Sequence, residues 1–96
     1  MEILKEYTEK FGIKEVINDC GEYRLTREDS IVFPNGWVSS IVLSKHPKKG
    51  KYSVAMCDWN GYFDWSILND YGADNGELFC NTELEIIIAC ETIRRL

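Results

Sequence analysis

This sequence predicts an α+β fold, an antiparallel meander of about four to five strands with a short N-terminal helix and a C-terminal helix packed on it. Three observations carry that expectation. The stretch 51–68, KYSVAMCDWNGYFDWSIL, sets Asn60-Gly61 between two runs rich in β-branched and aromatic residues, which is how a β-hairpin is written. Near the N-terminus Ile3, Leu4, Tyr7 and Phe11 fall on one stripe of a helix. Near the C-terminus Thr82 and Glu85 have capping-box spacing ahead of an apolar run to Leu96. With 96 residues, 45% of them hydrophobic, the chain reads as a single domain, 1–96, that can fold without metal or disulfide support.

The first helix should span about 2–11, with Glu2, Lys5, Glu6, Glu9 and Lys10 on its wet face and Gly12 as its stop. Residues 13–20 fit either a helical stripe or a short strand. Tyr23–Arg27 alternates like a strand, and Ile31–Phe33 is another. Pro34-Asn35-Gly36 suits a type I turn with a glycine bulge. Strands over 30–33, 37–45, 51–59 and 62–68 then form the meander. The apolar pattern sets Ile41 and Leu43 opposite Tyr52 and Val54, so that Trp37, Ile41 and Leu43 extend one apolar face.

A two-residue type I′ turn at Asn60-Gly61 would make Trp59 face Tyr62, Cys57 face Asp64 and Met56 face Trp65. Val54, Met56, Phe63, Trp65 and Ile67 would share a core face. Ser53, Ala55, Cys57, Asp64 and Ser66 would form a small, polar face. Residues 69–77 read as a loop, Leu78–Cys80 as a brief strand, and Thr82–Leu96 as a helix with Ile86, Ala89, Cys90, Ile93 and Leu96 inward. The run Ile86-Ile87-Ile88 would also suit a strand. The cap, the length, and acids in the first turn with arginines in the last favour the helix.

Charge is unevenly spread over a net −5. From Tyr52 to Ile93 there are eight carboxylates and no Lys or Arg, while Lys45, Lys48, Lys49 and Lys51 crowd around His46. Acids of this kind commonly just keep a surface solvated, but they also attract basic partners. Direct nucleic-acid binding needs the opposite sign over a wide surface and is not expected. No apolar run is long enough to cross a bilayer, and the N-terminus has no basic, apolar and small-residue series of a secretory signal. A cytoplasmic location is the expectation, with Cys20, Cys57, Cys80 and Cys90 as reduced thiols rather than staples or zinc ligands. Their spacings of 37, 23 and 10 residues contain no C-x-x-C.

Signatures of catalysis are missing. His46 sits in a basic loop far from Cys57 and Asp64. Asp58 and Asp64 would point to opposite faces, which leaves Asp58 to bond the amides of its own turn. The loop 70–77 is rich in oxygen ligands, but in the EF-hand register Tyr71 and Ala73 fall on ligand positions and Thr82 on that of the glutamate. No enzyme activity, cofactor or metal is therefore expected.

The candidate binding residues are Trp59 and Tyr62 at the hairpin end, with Asp64, Asp70, Asp74 and Glu77. They suit a binding or inhibitor protein that engages a basic protein surface, in its sharper form by placing carboxylates where a target expects phosphates. Short acidic α+β chains of this style are similar to accessory proteins of phages and mobile elements, a likeness that no particular residue carries. The alternative is a small-molecule pocket on the polar hairpin face, unless the N-terminal helix seals it. Leu84, Ile87 and Ile88 lie outside the apolar stripe of the last helix, and either the loop 70–77 or a second copy, in a homodimer, should cover them.

Overall fold

The computed structural model describes residues 2–11 and 30–96. In chain order they form α1 (Glu2–Lys10), β1 (Ser30–Val32), β2 (Trp37–Leu43), β3 (Tyr52–Asp58), β4 (Phe63–Asp64), a 3₁₀ helix (Ile67–Tyr71), β5 (Leu78–Cys80) and α2 (Glu83–Arg94). The readings for 13–20 and 23–27 lie outside the described residues. The strands make one antiparallel sheet in the order β1-β2-β3-β4, with β5 also pairing β3. This is the α+β arrangement that the sequence predicts.

The β2–β3 register has Ile41 opposite Val54 and Leu43 opposite Tyr52, as the apolar pattern requires. Leu43 lies on the expected side but beyond the core, and is exposed. On the helix side of the sheet, Ile31, Phe33, Ile41, Val54 and Met56 pack with Tyr7 of α1 and with Ile86, Ala89, Cys90 and Ile93 of α2. Each such aliphatic side chain contributes about 1.5–3 kcal/mol by leaving water. Thr82 caps α2 by accepting from the Glu85 amide at 3.2 Å, the role its spacing predicts.

The central hairpin departs from expectation by one residue. Met56 pairs with Asp64 and Cys57 with Phe63, and the Asp58 amide donates to the Tyr62 carbonyl at 2.9 Å. Trp59, Asn60 and Gly61 therefore form a three-residue loop, with Gly61 at φ 88°. Asn60 keeps a negative φ, so the two-residue I′ turn is excluded. The Asp58 carboxylate stabilises the longer loop by accepting from the Asn60 and Tyr62 amides at 2.8 and 3.0 Å, as its position in the sequence suggests. Pro34-Asn35-Gly36 closes the first hairpin in the same way, with Phe33 amide to Trp37 carbonyl at 2.9 Å and Gly36 at φ 92°.

A one-residue slip turns every β4 side chain to the opposite face. Phe63 leaves the main core and packs with Val38, Cys57 and Val32 on the other side. Asp64 stands opposite Met56 rather than Cys57. The strand expected over 62–68 stops at Asp64, whose Oδ1 accepts from the Ser66 and Ile67 amides at 2.9 Å each and bends the chain into the 3₁₀ helix. The small, polar face, which the sequence left either open or covered, is buried. Ser30, Ser40, Ser53, Ala55 and Cys57 are all withdrawn from solvent. It is not sealed by α1, which packs beside α2 on the opposite face, with Phe11 against Phe33 at 5.2 Å.

Two contacts tie the helices to this frame. The Asn35 side-chain amide donates to the backbone oxygens of Ile93, Arg94 and Leu96 at 2.8, 2.9 and 3.3 Å, while its Oδ1 accepts from the Trp37 amide at 3.0 Å. It thereby satisfies carbonyls that a helix C-terminus leaves without partners. The Tyr7 hydroxyl donates to the Glu91 carboxylate at 2.7 Å, and Arg94 grips that carboxylate with Nε and, at 3.1 Å, with Nη2. Burial, and then the bond to Glu91, push the Tyr7 hydroxyl pKa up. The Arg94 hydrogen bond is the main cause holding the Glu91 carboxyl below its usual value of 4.5.

Asn35→Ala should cost about 1–2 kcal/mol through its lost hydrogen bonds, read as a lower urea midpoint at constant slope. Asn60→Ala, at the same place in the other turn, should stay within about 0.5 kcal/mol. Equal effects would show that the bonds to α2 add nothing. Because the folded pKa of Glu91 is depressed, its contribution is present above the unfolded pKa and lost as pH falls through the folded value. Glu91→Gln should therefore be less stable than wild type at pH 7, and the two should converge as pH falls through the depressed pKa of Glu91. Parallel pH–stability curves would contradict the pairing.

Candidate interaction surface

The six candidate residues are spread over the β3–β4 turn, β4, the 3₁₀ helix and the turn before β5, and do not converge on one point. Trp59 and Tyr62 belong to the β3–β4 turn. Their side chains are 48% and 70% exposed, so both are available at the surface. Trp59 lies against the neighbouring turn, where a Cβ on Gly36 would sit 3.7 Å from its indole nitrogen. It also walls a shallow, open cavity of about 290 Å³ together with Lys10, Phe11, Val32, Phe33 and Pro34. That cavity opens beside α1 and the first turn, not on the strand face that the sequence suggested.

Asp74 and Glu77 sit near the other end of β3. They flank a two-residue turn, Asn75-Gly76, whose φ values of 50° and 83° are both positive, as a I′ turn requires. Asp74 and Glu77 bridge backbone to backbone across it, at 2.9 and 3.1 Å. The Glu77 carboxylate accepts from the Ser53 hydroxyl at 2.8 Å, and Asp74 pairs with Lys49. Ser53 and Asp58 are five residues apart on β3, about 16 Å of strand. The aromatic pair and this acidic pair are therefore separated by most of the sheet's height.

Asp64, opposite Met56, lies between. The Ile67 and Ser66 amides hold the Asp64 carboxyl below its usual value, so it is fully ionised at neutral pH. Asp70 is exposed on the 3₁₀ helix. The basic loop folds back toward the acidic segment. Lys49 stands 5.6 Å over the Phe79 ring, His46 packs against it edge-on at 6.2 Å, and the Lys51 amide donates to Asn81 Oδ1 at 3.1 Å. The charge separation along the chain is thus partly closed in space at the Asp74 end.

Trp65, like Phe63, stands where the sequence pattern does not expect it. Expected in the core, it stacks on Phe63 at 5.0 Å and 10° between rings and is 40% exposed. Asp64-Trp65-Ser66 carries the missed signal, because an aspartate two residues before a serine can cap a turn and end a strand. Among the described residues, the three cysteines present no accessible thiol, and Cys20 lies outside them. Burial pushes the Cys80 thiol up to about 11 and the Cys90 thiol up to about 12, and Cys57 is fully buried. Among the described residues, no three His, Cys, Asp or Glu side chains gather where they could hold a metal ion. Nor is any described helix long and apolar enough to cross a membrane.

No family model, curated protein or solved structure matches the chain significantly. The site rests on geometry alone.

That geometry depends on how closely the Asn75-Gly76 turn approaches Trp65. A Cβ on Gly76 would come within 2.6 Å of the Trp65 Cα, whereas one on Gly72 would meet nothing within 4 Å. Both glycines have positive φ. Gly72→Ala should cost about 1–2 kcal/mol from backbone strain alone. Gly76→Ala should cost at least about 1 kcal/mol more and alter the near-UV circular dichroism of the tryptophans. Equal losses with an unchanged aromatic signal would refute this packing.

Proposed function

We propose that the protein is a binding protein, not an enzyme, and that it engages a basic surface on a protein partner. Trp59 and Tyr62 supply the anchors, and Asp64 and Asp70 the adjoining charge. The observation that carries this reading is an exposed Tyr62 and a half-exposed Trp59 on a segment with eight carboxylates and no lysine or arginine. Exposed aromatic side chains contribute disproportionately to protein interfaces, and carboxylates around them select a positive partner and speed its approach. Asp74 and Glu77 play a lesser part. Lys49 and Ser53 already hold them, so a partner would compete with those contacts. In its sharper form, the carboxylates occupy places where the target expects phosphates, in an accessory protein acting in the cytoplasm. The buried Ser53, Ala55 and Cys57 lend no support to a ligand pocket on that face.

The test is affinity capture from the native host with wild type and a Trp59→Ala/Tyr62→Ala variant. A basic protein should be retained by wild type, lost from the variant and released as salt shortens the Debye length below about 8–10 Å. Retention of the same proteins by both, or binding indifferent to salt, would overturn the proposal.

A further inference from the structure

The last helix leaves an apolar stripe uncovered. Leu84 and Ile88, one turn apart, are 59% and 58% exposed, although Ile86, Ala89, Cys90 and Ile93 of the same helix are buried. Ile88 also borders a shallow groove of about 200 Å³ between α2 and β5, walled by Tyr71, Phe79, Ala89 and Thr92. Tyr71, which the sequence offered as part of a covering loop, forms a rim of this groove and leaves Ile88 open to solvent. A protruding side chain and a groove thus adjoin on one surface. We infer that this surface is a two-fold contact with a second copy of the chain, α2 packing antiparallel on α2 about Ile88.

Charge selects a second copy as the occupant. The exposed Glu85 lies in the first turn of α2, and the exposed Arg95 directly follows its last residue. An antiparallel pair sets the acidic end of each helix beside the basic end of its mate and opposes the two helix dipoles. A partner of uniform charge would match only half of the helix. The glutamates nearest the contact are already engaged, Glu85 with the Thr82 hydroxyl at 3.3 Å and Glu91 with Arg94 and Tyr7. Their repulsion across the two-fold axis is correspondingly reduced.

The geometry is also self-complementary. Because the protruding Ile88 lies at the edge of the groove, a two-fold axis at Ile88 sets the two Ile88 side chains against each other and brings the groove rims of both copies together, as a closed dimer requires. Twelve residues of helix span about 18 Å. Reaching the roughly 800 Å² per partner of a standard interface therefore needs the Tyr71 and Phe79 rims as well. The dimer is consequently modest in size and dependent on concentration. This surface is separate from the Trp59–Tyr62 turn, and the inference stands independently of the proposed function.

Sedimentation velocity over a concentration series tests it. Wild type should shift from monomer toward dimer as concentration rises, and Ile88→Glu should lower the dimer fraction at least tenfold while keeping its circular dichroism. Ile88→Cys should form a disulfide-linked dimer under mild oxidation that wild type does not form, since Ile88 meets its own mate at the axis. A wild type that stays monomeric up to millimolar concentration overturns the inference. So does self-association that survives Ile88→Glu. Should Ile88→Glu fail to fold, absence of a covalent Ile88→Cys dimer overturns it alone.

Discussion

The structure depends on satisfying both edges and both faces of β3. Ser53 to Cys57 are buried without a break, so every backbone amide and carbonyl in that run needs a partner inside the protein. β2 takes one edge over seven pairs, from Trp37–Asp58 to Leu43–Tyr52. The other edge is divided, with β4 pairing Met56 and Cys57 and β5 pairing Tyr52, Ser53 and Val54. Neither short strand could hold that edge alone.

Dividing an edge imposes a demanding connection. The chain must leave the sheet after Asp64 and return to the same edge at Leu78. The Asp64 carboxylate turns it out by capping the Ser66 and Ile67 amides. Asn69 then fastens the excursion at both ends, donating to the Trp65 carbonyl at 3.1 Å and accepting from the Gly76 amide at 2.8 Å. The I′ turn at Asn75-Gly76 directs the chain into β5. Gly50 meets the same constraint from the β2–β3 loop, where a Cβ would lie 2.9 Å from that of Phe79. Asp64 is thus first of all a turn builder, while the carboxylates of Asp74 and Glu77 hold Lys49 and Ser53.

Three Asn-Gly pairs illustrate how one dipeptide serves different ends. At 35–36 and 60–61 it closes three-residue loops with only the glycine at positive φ, while at 75–76 both residues adopt it. Between the two similar loops, tertiary position makes the difference. The Asn35 amide meets the end of α2, and Asp58 provides the side-chain acceptor in the second loop. The helix C-terminus, the first turn and Trp59 over Gly36 are thereby gathered at one end of the sheet, which sets where the exposed aromatic residues stand.

By itself the sequence determined the elements whose causes are local. Alternation of apolar residues specified the β2–β3 register through Ile41 and Val54, because slipping it would expose a buried face. Thr82 and Glu85 set the start of α2, because a cap needs only its own three following residues. Trp59 and Tyr62 were legible as surface candidates because they adjoin a turn. Only the tertiary structure decided the rest. Asn60-Gly61 belongs to a loop of three residues, not two, which reverses the faces of Phe63 and Asp64 and sets Phe63 against Val38 and Cys57. The pairing of Asp74 with Lys49 across 25 residues, and the capping of α2 by Asn35 across 58, depend on how the sheet brings distant turns together. No local pattern records such contacts, because their partners become neighbours only once β3 has both of its edges filled.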